Sequence, residues 1–241
     1  FYLKAGFLAL VPALTLYLGW WQVQRLKWKE NLINLIHERS EAPPILLNDM
    51  ILTDYDIEDA EFYNALAKGH FVHDKEILLG PRTFDNKLGY YLITPFKLDN
   101  GQVILVKRGW ISREMKDPSQ RPSKLILKGQ VRNGEKGNRF TPSNIPEKGE
   151  WFYIDLQQMA KYTGSLPFLI DELADNSPYI NSKLIEQGVP VPRSKEIHLS
   201  NSHFQYAVTW LSLSLITTIM TVMFIRSGRP HLPNNRNAMI K

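Results

Sequence analysis

The chain has 241 residues, a formal net charge of +5, a pI near 9.2 and no cysteine. The missing thiols exclude disulfides, thiolate-held zinc, iron–sulfur or copper, and covalent haem attachment through Cys-x-x-Cys-His. Lys4, Arg226, Arg229, Arg236 and Lys241 supply the whole charge excess, because Gln22 to His203 carries 24 basic and 24 acidic residues; the electrostatic footprint of a nucleic-acid binder is therefore absent.

Ala5 to Trp21 contains 17 residues without a charge, and Phe204 to Ile225 contains 22. Both reach the roughly 17 to 25 residues that cross a hydrocarbon core of about 30 Å. The first transmembrane helix is assigned to residues 1–21, with Pro12 inside it, and it ends in Gly19-Trp20-Trp21, where paired indoles suit an aromatic belt. A proline there is tolerated when a neighbouring helix or a hydroxyl takes the freed carbonyl, which predicts a mild kink. Residues 22–40 continue the same helix beyond the membrane, with Trp21, Trp28, Leu32, Leu35 and Ile36 on one side, until Ala42-Pro43-Pro44 stops it.

From residue 41 to 203 the period changes to that of a soluble β-rich domain. An acidic connector, Asp54 to Glu61, precedes strand candidates at Tyr63 to Val72, Glu76 to Gly80, Gly89 to Lys97, Gln102 to Trp110 and Lys124 to Arg132. Asp99-Asn100-Gly101 marks a hairpin, and the uninterrupted Val103-Ile104-Leu105-Val106 suits a strand buried on both faces. Asn133 to Gly149 reads as an exposed loop, Trp151 to Ile154 as a strand, Asp155 as the cap of a helix from Leu156 to Tyr162, and Phe168 to Asp171 as the last strand. Asn176 to Ser200 is loop-like. The second transmembrane helix occupies 204–225, and 226–241 is a basic tail that belongs on the negative-inside face. The fold class expected is membrane α+β: a two-helix transmembrane hairpin enclosing a mostly antiparallel, barrel-like or sandwich-like soluble domain, with both termini on one side of the membrane.

No nucleotide loop, G-x-S-x-G elbow or H-E-x-x-H motif occurs, and no catalytic residue is assigned. His70 and His73 form H-x-x-H in a strand and turn, where residues three apart face opposite sides, so they read as solvated histidines. At the start of the second span His203, Tyr206 and Trp210 stand at i, i+3 and i+7 and share one stripe. His203 reads either as an interfacial anchor or as an axial ligand of haem iron. In the second case Arg25, four residues past Trp21, would pair with a propionate, and Gly19 would let the helices approach near the site. The partner helix would complete that site with Gly19, Trp21, Gln22 and Arg25.

Gly19-Trp20-Trp21-Gln22-Val23-Gln24-Arg25-Leu26-Lys27-Trp28-Lys29 resembles the first-span signature of the surfeit-locus family of cytochrome c oxidase assembly factors. Gly89 to Phe96, Val106 to Ile111, Trp151 to Asp155 and Asn201 to Trp210 resemble later family motifs in the same order. The resemblance implies a non-enzymatic assembly factor acting when haem a is inserted into the catalytic core subunit 1 of the oxidase. Haem a synthase and other oxidase assembly factors are implied as partners. It implies a two-pass protein of the mitochondrial inner membrane, with the β domain in the intermembrane space and both termini in the matrix, or of a bacterial plasma membrane. The Asn- and Lys-rich loops point to a fungal mitochondrion. Haem a, held transiently by the residue matching His203, is the implied cofactor; copper and zinc are not expected. A cofactor-free scaffold for the core subunit, making contact through Trp110, Trp151 and the Asn133 to Gly149 loop, is the alternative. Trp20 and Phe204 depart from the commoner family pattern.

Overall fold

The structure is a computed structural model that describes residues 2–52, 59–114, 126–135, 137–174, 188–192 and 202–227. It divides into two compact units, residues 1–35 with 198–241, and residues 36–197. Asp54 to Glu58, Lys124 and Leu125, most of Asn176 to Ser200, Asn201, and the tail beyond Ser227, for which the sequence sets expectations, lie outside the described residues.

The first unit contains most of α1 (Tyr2–Glu41) and all of α3 (His203–Ser227). Both helices are long and apolar enough to cross a membrane. Pro12 has no N–H to give the carbonyl four residues earlier, and that carbonyl, Leu8 O, accepts from Thr221 Oγ1 of α3 at 3.4 Å. Ser214 Oγ also donates to Pro12 O at 3.0 Å. Hydroxyls on α3 thus satisfy the backbone at the proline, as the sequence led us to expect.

In the second unit the last turn of α1 is anchored from its own residues. Ile36 is buried, Arg39 Nη1 donates to Glu61 O at 2.8 Å, and Asn64 Nδ2 donates to Ser40 O at 2.6 Å. The strands are β1 (Ile45–Leu46), β2 (Asn64–Phe71), β3 (Ile77–Phe84), β4 (Lys87–Leu98), β5 (Val103–Ser112), β6 (Ile126–Arg132) and β7 (Leu169–Glu172). They form one mixed sheet in the order β1-β2-β6-β7-β5-β4-β3, and a short ladder of Gly69–Phe71 against Phe96–Leu98 also joins β2 to β4. The expected barrel or sandwich is seen as this mixed sheet. Most pairings are antiparallel, but β1–β2 and β5–β7 run parallel. Parallel neighbours come from distant sequence, and side-chain alternation carries no sign of strand direction.

Alternation along β5 assigns its apolar run to two cores. Ile104 and Val106 pack with Phe71, Phe96, Val131 and Ile170, while Leu105 packs on the opposite face with Leu79, Ile93, Trp151 and Met159. Two boundaries differ from expectation. β3 continues past Gly80 to Phe84, because Asp85 and Asn86, both at positive φ, turn the chain straight into β4. Trp151 to Ile154 is not a strand: it makes a single bridge, Leu79 to Trp151, and Trp151 works as a core plug. The helix after it, α2 (Leu156–Thr163), is capped as expected, Asp155 Oδ1 accepting from Gln158 N at 3.0 Å.

Candidate functional site

α1 and α3 meet along a seam whose contacts run in opposite order: Gln22 with His203, Gly19 with Leu211, Pro12 with Ser214, Leu8 with Thr221. On α1 the seam steps through 8, 12, 15, 19 and 22, the alternating four-three advance of helices packed at a shallow angle. Thr15, Gly19, Ala207, Ser214 and Thr221 are buried in it, small groups that let the backbones approach. Gly19 faces Leu211 closely: a Cβ on it would lie 2.7 Å from Leu211 Cδ2, 2.9 Å from Cγ and 3.4 Å from Leu211 N, so the Leu211 side chain would have to shift.

At the upper end of this seam His203 Nδ1 lies 2.7 Å from Gln22 Oε1. An amide oxygen only accepts, so the proton of the neutral imidazole is on Nδ1 and the ring's lone pair is on Nε2. The seam also separates the predicted stripe. His203 and Trp210 are half-buried, whereas Tyr206 is 53% exposed. Three residues of helix set Tyr206 about 60° back from His203, while Ala207 comes about 40° forward, so the contact line follows Ala207. Trp21 is 48% exposed, and Arg25 is exposed with its guanidinium 3.9 Å from the centre of the Trp28 ring. Gln22, His203 and Gly19 are thus gathered on the seam and Trp210 is half-buried on α3, while Trp21, Tyr206 and Arg25 stand outward.

Sequence reasoning did not single out Leu211 or a second arrangement in the sheet unit. The dipeptides Lys107-Arg108 on β5 and Asp171-Glu172 on β7 lie on parallel neighbours, with Lys107 opposite Asp171 in register. Alternation sends one charge of each dipeptide to each face. On one face Lys107 Nζ bonds Asp171 Oδ2 at 3.0 Å and lies 4.9 Å from the Tyr91 ring centre. On the other, Arg108 is 4% exposed and stacks 4.1 Å from the Phe71 centroid. Burial pulls Arg108 below the ordinary guanidinium range, and the charge of Glu172, itself 8% exposed, partly restores it. Matched pairs of like-charged neighbours in two apolar strands were the available signal.

The Lys107–Asp171 face opens into a cavity of about 550 Å³ that Tyr91, Trp110, Ile154 and Leu169 also line. Trp110 and Trp151, offered from sequence as partner contacts, are 1% and 2% exposed and belong to the cores. Bulky indoles fill volume efficiently, and Trp110 Nε1 finds its partner in Arg82 O at 3.1 Å. His73, of the H-x-x-H pair, makes a 2.9 Å contact from Nδ1 to Glu76 Oε1, while His70 is exposed on β2.

The SURF1 family model matches residues 9–215 of this chain. Surfeit locus protein 1 of Homo sapiens is 34% identical over 244 residues, spanning 92% of this chain and 78% of that protein. The SURF1-like protein of Monosiga brevicollis is 35% identical over 234 residues, covering 90% and 86% of the two chains. That of Drosophila melanogaster is 34% identical over 237 residues, covering 89% and 75%.

Proposed function

Because the chain belongs to the SURF1 family, we propose that it is a two-pass membrane assembly factor of cytochrome c oxidase, acting at haem a insertion into core subunit 1. The observation that carries this reading is the 2.7 Å contact between His203 and Gln22, which joins the two helices at their aromatic end. Its donor set fits a haem: one imidazole, oriented and with its tautomer set by a neighbour, which is how ligating histidines are held. Haem a would supply there an iron able to accept an axial nitrogen. Gln22 holds the ring, and the small residues of the seam hold Gln22 against α3. The Arg25 guanidinium lies 3.9 Å from the centre of the Trp28 ring, and its fork of N–H donors suits a carboxylate such as a propionate. The outward rings of Trp21 and Tyr206 offer apolar cover. Core subunit 1 and haem a synthase are the expected partners, in the mitochondrial inner membrane with the sheet unit in the intermembrane space.

The cofactor-free scaffold is favoured by a separate observation: Leu211 fills the space facing Gly19, so no room for a macrocycle remains between the helices at that level. The two readings part on one preparation. The full chain, purified gently from a membrane that makes haem a, should show a haem a spectrum that His203→Ala removes while core subunit 1 still co-purifies. A spectrum unchanged in His203→Ala would sink the ligand assignment. A haem-free native protein that retains the core subunit would establish the scaffold in its place.

A further inference from the structure

Phe140 is 92% exposed, the most exposed large apolar side chain among the described residues. Its turn is tightly built. Asn138 Oδ1 accepts from Phe140 N and from Thr141 Oγ1, each at 2.9 Å, while Asn138 O accepts from Thr141 N at 3.0 Å. Behind the turn, Asn144 Oδ1 accepts from Phe152 N at 2.8 Å and its Nδ2 donates to Tyr153 O at 3.2 Å. The amides of Phe140 and Thr141 are therefore already satisfied, and the tip can be covered without stranding them. A single exposed ring is ordinary on a protein surface; this one is singled out by the hydrogen-bonded turn that holds it out.

The same sheet unit carries a matching receptacle. Ile45, Leu47, Met50, Leu52, Tyr63 and Phe168 line an apolar cavity of about 230 Å³, with exposed Asp59 beside it. An apolar cavity of roughly 150 Å³ already accepts a benzene ring. Exposed Arg139 precedes Phe140, so an aromatic ring next to a cation faces an apolar cavity next to an anion. The Phe140 loop mixes exposed Arg139 and Lys148 with exposed Glu135, Glu147 and Glu150, which is not the basic surround that an anionic bilayer selects.

We propose that Phe140 of one copy docks in this cavity of a second copy, with Arg139 facing Asp59. Each chain holds both halves, so one copy can supply the ring and another the cavity. Two copies tethered in one membrane meet at a raised effective concentration, which suits so small a contact. The inference concerns the sheet unit and is independent of haem binding.

The absence of cysteine makes the test direct. Full-length Ile51→Cys and Ser143→Cys proteins, differently tagged, are co-reconstituted in lipid vesicles and treated with a short bismaleimide. A mixed cross-linked dimer is expected at several times the yield obtained when Lys87→Cys replaces Ser143→Cys. Adding Phe140→Ser to the Ser143→Cys chain should bring the yield down to that control. Arg139→Asp should lower it as well, and Asp59→Arg in the other chain should restore it. A yield no higher than the control, or one that survives Phe140→Ser, overturns the proposal. So does a Phe140→Ser chain that loses core subunit 1 while cross-linking normally, since the ring would then serve another protein.

Discussion

The buried charges between β5 and β7 make a quantitative prediction. Arg108 and Glu172 are 4% and 8% exposed, and the guanidinium is further held against Phe71 at 4.1 Å. Replacing Arg108 with Met keeps most of the side-chain volume but leaves the Glu172 carboxylate buried without its nearby cation. Removing one partner of a buried pair costs about 3 to 5 kcal/mol. Glu172→Gln should cost a similar amount, for the converse reason. The double variant Arg108→Met with Glu172→Leu buries neither charge, and such replacements are often neutral or stabilising. It should return to within about 1 kcal/mol of the parent, so the two single effects should not add. Hydrogen exchange read by mass spectrometry on peptides covering β5 and β7 isolates this unit from the helices. Protection there should fall roughly 10² to 10⁴-fold in each single variant and recover in the double. Protection within tenfold of the parent in Arg108→Met, or a double variant as weak as the sum of the singles, would refute the argument.

Gly109 sits at φ 130°, and a Cβ there would collide with the carbonyl of Val191. Gly109→Ala should therefore cost about 2 kcal/mol or more and should speed exchange at Trp110 and Val191, whose amides bond each other's carbonyls at 2.8 and 2.7 Å; unchanged exchange at both would contradict it. In the helix pair, Gly19→Leu should wedge α1 from α3 at a cost of about 1 to 3 kcal/mol, and the nitrogen resonances of the His203 ring should lose the pattern of a proton fixed on Nδ1. Gly19→Ala should do far less, because only the Leu211 side chain and no backbone has to move; equal effects from the two variants would show that Leu211 is not the obstacle.

Much of this architecture could be read from local pattern. Charge-free runs of sufficient length mark both helices, since crossing hydrocarbon demands that each helix satisfy its own backbone. The backbone at Pro12 calls for a neighbouring helix or a hydroxyl, and Ser214 and Thr221 of α3 supply it. The Val103 to Val106 run foretold a strand with a core on each side, and Asp155 foretold the cap of α2. Misplaced features share a cause. Trp151 looks like part of a strand because bulky apolar residues favour strands, yet it fills a core from a loop. Tyr206 was grouped with His203 by helical spacing alone, and which edge of a stripe is covered depends on the neighbouring helix.

By itself, then, the sequence determined two long apolar helices, a β-rich middle of balanced charge, the place of His203 at the head of the second helix and, through its motifs, the family. Tertiary structure decided that His203 meets Gln22, that Leu211 fills the notch at Gly19, that Lys107-Arg108 lies beside Asp171-Glu172, and that two ladders are parallel. The physical reason is the range of the interactions. Span length, capping and alternation act within one or two turns of chain and leave a local imprint. Contacts such as Gln22 with His203 join residues far apart in the chain, and their geometry follows from how whole elements pack.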